Sequence, residues 1–224
     1  MKTILSSILF SLLATAGFAQ LKGSGNVVKR TFEFQQFNQL RFQDLDGRID
    51  VAIGNSWSIE VSIDDNLEPL LQVTVNKNAN ALTVKLVKNE NNRKYIENTN
   101  IKVKITLPNL THVKHEGNSI LYITGINSSF TNLSNGGNGS VVGSGVTNSL
   151  RITNAGNGNV NLAALSANNV IVTNRGNGNS IVFATVFLEG FVSGNGSIKN
   201  KGNALFSKGS KKSGNGRLIA VIPM

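Results

Sequence analysis

Three groups of residues have types and spacings that could do chemistry: His112 and His115, flanking Lys114 and next to Glu116; Asp44, Asp46 and Asp50; and the late cations Lys199, Lys201, Lys208, Lys211, Lys212 and Arg217. Paired imidazoles can share a metal ion, clustered carboxylates can hold a hard cation or run acid–base hydrolysis, and grouped cations can hold a polyanion. Residues three apart on a strand face opposite ways. His112 and His115 are therefore expected to be ordinary exposed histidines without a shared metal. Alternation and exposure account for the three aspartates. From Glu116 onward the only acids are Glu116 and Glu189, far apart in sequence, whereas glycosidases place two carboxylates about 5 to 10 Å apart. Hydrolysis is not expected in that half, although a site in the acid-richer first half stays open. No Gly-x-Ser-x-Gly elbow occurs, and the chain has no cysteine, which removes disulfides and thiolate metal sites. The reading is a non-enzyme with no cofactor and no metal.

The late cations keep a functional reading. From Gln20 to Glu116 there are 13 Lys or Arg against 11 Asp or Glu, and from Gly117 to Met224 there are 8 against 1. Lys199, Lys201, Lys208, Lys211, Lys212 and Arg217 could form a basic end for an acidic glycan or another envelope polyanion. They could equally be a solvated cap that stops end-to-end growth of a sheet. Aromatic residues do not interleave with them as platforms for bases would, which argues against nucleic acid.

The elements that must position these residues repeat. Gly117-Asn118-Ser119 is followed by Gly-Asn-Gly at Gly137, Gly156, Gly176, Gly194 and Gly214, at spacings of 20, 19, 20, 18 and 20 residues. Each turn precedes a short strand, such as Ser140-Val141-Val142, and then a second with period-two alternation, such as Leu150-Arg151-Ile152. The expectation is a solenoid of about 20-residue coils with two or three strands each, with Val141, Leu150, Ile152, Val160, Val170, Val172 and Ile198 inward and Arg151 outward. Glycine and asparagine tolerate positive φ, which a sharp corner would use. Stacked corners would let Asn138, Asn157, Asn177, Asn195 and Asn215 bond amide to amide as a structural ladder. Gly136-Gly137-Asn138-Gly139-Ser140 invites comparison with calcium-binding rolls, but the aspartates such sites need are missing. Thr131-Asn132, Thr153-Asn154 and Thr173-Asn174 could order water on a flat face, but their spacing does not suggest register.

Residues 20–116 are strand-rich but irregular, with alternating segments at 49–53, 59–63, 73–75, 82–86 and 101–105. They are either continuous with the repeat of 117–224 or a β cap upon it. Lys2, the apolar run from Ile4 to Ala16 and Gly17-Phe18-Ala19 before Gln20 have the layout of a secretory signal peptide over residues 1–19. No later run is long and apolar enough for a membrane helix. Export to the periplasm or cell surface is expected.

Leu107-Pro108-Asn109-Leu110 leading into Gly117-Asn118-Ser119, with Phe37-Asn38-Gln39-Leu40 ahead of Gly47-Arg48-Ile49-Asp50-Val51, resembles the bacterial "putative auto-transporter adhesin, head GIN domain" family, common in Bacteroidetes. The resemblance covers nearly all of the chain after residue 19. It implies an all-β, right-handed parallel β-helix and an envelope or surface setting, with no catalytic residues. An auto-transporter needs a membrane β-barrel after its passenger, and the sequence ends at Met224 directly after the last repeat, so autotransport is not expected. Two functions follow as expectations: an exported binding or adhesion module for glycans or acidic envelope polymers, or a periplasmic structural or regulatory protein without adhesion. A polysaccharide-active enzyme is the third.

Overall fold

The computed structural model describes residues 21–87 and 96–221. The residues assigned to a signal peptide, 1–19, lie outside that range. Among the described residues the fold is all-β apart from one 3-10 turn at Glu68–Leu70. The first half carries β1 (Leu21–Lys22), β2 (Val27–Phe32), β3 (Gln39–Gln43), β4 (Arg48–Ile53), β5 (Ser58–Asp64), β6 (Leu71–Asn76), β7 (Ala81–Leu86), β8 (Ile96–Glu97), β9 (Lys102–Leu107) and β10 (His112–Glu116). The second carries β11 (Ile120–Asn135), β12 (Val141–Asn154), β13 (Val160–Asn174), β14 (Ser180–Val192), β15 (Ile198–Asn200), β16 (Lys211–Lys212) and β17 (Leu218–Ala220).

Fifteen of these strands form one mostly parallel sheet, and β1 pairs only with β8. From β10 to β17 every pairing is parallel, and each strand lies on the one about 20 residues earlier, as Ile152 on Leu133 and Val172 on Ile152. The sheet does not stop at residue 116. Strand β3 pairs with β10 and β4 with β11, both in parallel, so Leu45–Gly47 forms a corner beneath Gly117–Ser119. Strands β2, β5 and β6 then turn antiparallel at the outer end. Alternation decides which side chains enter the core: Val141, Leu150, Ile152, Val160, Val170, Val172 and Ile198 are all buried.

Two expectations need correction. Each repeat holds one long strand of 13 to 16 residues in β11 to β14, not two or three short ones. The chain bends within the strand at register shifts, as between Ile123 and Ile126, beside Gly125 at φ +77°. Parallel hydrogen bonding resumes on the far side of the bend, so the strand does not end there. The Gly-Asn-Gly corners, moreover, contain no positive-φ residue. Their glycines are required by close approach, because a Cβ on Gly156, Gly176 or Gly194 would overlap the backbone of Gly137, Gly156 or Gly176 respectively.

Candidate functional site

The corner asparagines form a continuous outer column. Nδ2 of Asn138 donates to Oδ1 of Asn118 at 3.2 Å, Asn157 to Asn138 at 2.7 Å, Asn177 to Asn157 at 2.7 Å, Asn195 to Asn177 at 2.7 Å and Asn215 to Asn195 at 2.9 Å. Two residues before the corner glycines runs a second, buried column: His115, Asn135, Asn154 and Asn174 stand in register and are fully buried. The Asn154 amide donates to the carbonyl oxygens of Gly158 and Gly178 at 3.1 and 3.2 Å, and Asn174 donates to Gly178 at 2.9 Å. Asn135 donates to Asn154 Oδ1 at 3.2 Å. Thr153-Asn154 and Thr173-Asn174 are thus in register, contrary to expectation, whereas Thr131-Asn132 pairs with Leu150-Arg151. With the asparagines inside, these pairs offer no flat threonine-asparagine face.

His115 departs further from expectation. It is buried, with Nδ1 2.8 Å from Asn135 Oδ1 and Nε2 2.8 Å from Ser119 Oγ. An amide oxygen only accepts, so Nδ1 carries the proton and Nε2 accepts from the serine. Burial pushes the His115 pKa below its ordinary value, against the bond to Asn135, which raises it. His112 points the other way and tilts against the Phe130 ring, centroids 5.7 Å apart. Among the described residues no three His, Cys, Asp or Glu side chains gather to hold a metal.

Several acids sit in ion pairs or hydrogen bonds. Arg48 bridges to Asp50 at 2.7 Å and lies over the Tyr122 ring at 4.3 Å. Lys114 pairs with Glu116 at 2.7 Å, and Gln43 donates to the same carboxylate. Burial would raise the Glu116 pKa, but those two bonds hold it below the usual value. Asp46 accepts from the backbone N–H of Gly47 at 2.9 Å.

The six late cations occupy both flanks of the corner column. Lys211 and Lys212 lie on β16 before the Gly214 corner, Lys199 lies on β15 after the Gly194 corner, and Arg217 directly precedes β17. Lys201 follows β15, and Lys208 projects from a turn closed by Ser210 N–H to Ser207 O at 3.0 Å. Five of the six are exposed, Lys199 is half-buried, and among the described residues none makes an ion pair.

On the outward face of the long strands lies a feature that the sequence did not suggest. Phe130, Ser149, Asn169 and Phe187 stand in register on successive strands. Next to them runs the column Asn132, Arg151, Ile171 and Glu189. Phe130 and Phe187 are 37% and 39% exposed, with the shorter Ser149 and Asn169 between them, leaving a trough of about 360 Å³. Its sequence signal is faint: two phenylalanines 57 positions apart look unrelated until the register is known. A second groove, of about 680 Å³, lies beside Trp57 and the stacked rings of Phe32 and Phe34. There Lys29 and Lys104 neutralise Glu60.

A family model described as "Putative auto-transporter adhesin, head GIN domain" matches residues 36–204. Among solved structures, a putative adhesin from Bacteroides fragilis is 24% identical, with a TM-score of 0.68 over 90% of this chain and 100% of that one. A putative lipid binding protein from Parabacteroides distasonis is 19% identical, with a TM-score of 0.57 over 91% of this chain and 100% of that one. A putative adhesin from Parabacteroides merdae is 19% identical, with a TM-score of 0.50 over 90% of this chain and 99% of that one. At these identities the likeness is one of fold. No protein of curated function matches the sequence.

Proposed function

The chain belongs to the "Putative auto-transporter adhesin, head GIN domain" family, and from that premise we propose that it is an exported, non-enzymatic module that binds or adheres through acidic glycans or envelope polyanions. In this reading residues 1–19 are a signal peptide and residues 20–224 one rigid right-handed parallel β-helix, working in the periplasm or at the cell surface. The observation that carries it is the late cations: they stand outward on a hydrogen-bonded scaffold, without ion-pair partners among the described residues, in a stretch with no acid after Glu189. Unpaired cations at fixed positions attract polyanions at low salt. The amide columns support a structural role for Asn138, Asn157, Asn177, Asn195 and Asn215, since their bonds to one another occupy them.

The test replaces Lys208, Lys211 and Lys212 with serine and measures retention on heparin and lipopolysaccharide columns at low salt. The reading expects earlier elution of the triple variant from both; unchanged elution would remove the basic end as a binding site. Protease shaving of intact cells then separates the two settings, because cleavage before the envelope is opened keeps adhesion, whereas protection until lysis assigns a periplasmic role.

A further inference from the structure

We infer that the trough between Phe130 and Phe187 is a binding site for an oligosaccharide segment that presents one carboxylate to Arg151. The inference rests on the reading of the chain as a binding module, but uses different residues from the basic end.

Geometry sets the shape of the ligand. Phe130 and Phe187 are three strand steps apart in one column, which at about 4.8 Å per step places them roughly 14 Å apart. Such a span suits an extended ligand lying across the strands. Both rings stay exposed where alternation gives the chain a buried position next door, at Thr131 and Leu188. Phe130 is braced by the His112 ring. Two rigid aromatic surfaces with a short polar floor between them fit rings that have apolar faces and polar edges, as sugars do. Ser149 and Asn169 supply donors and acceptors on that floor.

Charge sets the chemistry. Arg151 is exposed and, among the described residues, makes neither an ion pair nor a hydrogen bond. A guanidinium is a planar fork that matches a carboxylate with two parallel bonds. In the same column Glu189 stands two steps further, separated from Arg151 by Ile171. One end of the trough therefore favours an anion and the other opposes it. Two strand steps of about 4.8 Å each come close to the repeat of a disaccharide. A chain of uronates, consecutive or alternating with a neutral sugar, would therefore set a carboxylate near Glu189, whereas a segment with a single uronate places its anion at Arg151 alone.

Other occupants fit less well. An added peptide strand needs free backbone groups, and here the strands β11 to β14 bond to one another in parallel along the trough. A nucleic acid needs several cations along its phosphates, and the trough has one. An acyl chain needs an enclosed apolar cavity, and this one is open and floored by a serine and an asparagine.

The test is calorimetric titration of the full chain with a glucuronosyl-xylotriose tetrasaccharide, which carries a single acid, and with tetragalacturonate, whose acids are consecutive. The single-acid tetrasaccharide is expected to bind more tightly. Arg151→Gln should weaken it about tenfold, as loss of a charge-assisted fork does, with Arg151→Lys between the two. Phe187→Ser should weaken both ligands, and Glu189→Gln should narrow the gap between them by improving tetragalacturonate. Melting curves check that each surface variant is folded. Wild-type affinity in both Arg151→Gln and Phe187→Ser, or no binding of either tetrasaccharide at millimolar concentration, overturns the inference. If that happens while the triple lysine variant still loses heparin, the trough is wrong and the basic end stands. If heparin retention is also unchanged in that variant, both fail.

Discussion

The two halves of the sheet bind their polar groups by opposite means. In the first half a single buried carboxylate, Asp64, gathers segments from different directions: it accepts from Gly25 N–H at 2.9 Å, Asn100 N–H at 2.7 Å and the Asn100 amide at 2.9 Å. Around it the outward face of β2, β5, β9 and β4 alternates cations with anions, as in Lys29 to Glu60 and Arg48 to Asp50. In the second half the corner groups that bind are neutral amides: each outer one binds another of its own kind in the next layer, and the inner ones bind carbonyls of their own and the next layer. Regular stacking explains the difference. A position repeated every layer meets itself at about 4.8 Å, and like charges at that spacing repel. An asparagine there is both donor and acceptor to its copy. Irregular strands face no such restriction, so one anion with several acceptor sites can tie them. The scarcity of charge after residue 116 follows from the packing, and makes the few unpaired cations there conspicuous.

The largest loss of stability is expected at a corner glycine. A Cβ at residue 176 would overlap the carbonyl of Gly156, which is backbone and already bonded to its neighbours. Gly176→Ala should therefore cost about 3 kcal/mol in urea unfolding, at the upper end for overpacking. In the first half Gly25 sits at φ +88° with open space for at least 4 Å around an added Cβ, so Gly25→Ala should cost only about 1 kcal/mol, the penalty of a left-handed backbone. Equal losses at the two sites would mean that close stacking is not what the corners require.

Acid sharpens the contrast next. Burial pushes the Asp64 pKa up, but the bonds from Asn100 and Gly25 outweigh it and hold the group below its ordinary value. Its stabilisation is whole above about pH 3.9 and is lost as pH falls through the lowered folded value. His115 is depressed by burial, so its neutral form favours the fold fully above about pH 6.5, and stability declines below that toward the folded value. The layered half should weaken first on acidification, by at most about 1.4 kcal/mol per pH unit for one proton. His115→Asn would set an amide where the next three layers have one, and should remove the decline that begins below about pH 6.5. Asp64→Ala, which strands two backbone N–H groups, should cost about 2 kcal/mol at neutral pH. A His115→Asn protein with the same acid profile as wild type would locate the titrating group elsewhere.

What could be read from the sequence follows the same division. Period-two alternation marked the buried positions of the second half, and the spacing of Gly-Asn-Gly marked the layers. The inner amide column carried an equally regular signal, an asparagine two places before the corner in Asn135, Asn154 and Asn174, with His115 as its first member. The threonines beside two of those asparagines masked it, because a Thr-Asn pair reads as an exposed polar step. The bend inside the long strands left an uneven mark: β11 and β12 carry Gly125 and Gly145 at positive φ beside their register shifts, whereas β13 contains no glycine. The trough was invisible for a different reason: its walls lie on strands β11 and β14, with two further strands between them, and only register brings Phe130 and Phe187 into one column. In the first half, parallel pairing of β3 with β10 and β4 with β11 joins segments more than 60 residues apart, a separation that local patterns do not encode.

The smallest effect belongs to the outer amide column. Asn157 accepts from Asn177 and donates to Asn138, both at 2.7 Å, at an exposed corner. Water can replace either bond, so Asn157→Ala should cost only about 0.5 to 1 kcal/mol. Asn154 makes its bonds in the dry interior, with carbonyls of two layers as acceptors. Removing it strips one donor each from the buried Gly158 and Gly178 carbonyls, which keep Asn135 at 3.4 Å and Asn174 at 2.9 Å. It also takes the Oδ1 acceptor from the Asn135 amide, so Asn154→Ala should cost about 2 kcal/mol. The pair of urea curves measures where the second half keeps its polar cohesion. If the outer variant loses as much as the inner one, the exposed amides act as a cooperative unit and the corner column, not the buried one, fixes the register of the layers.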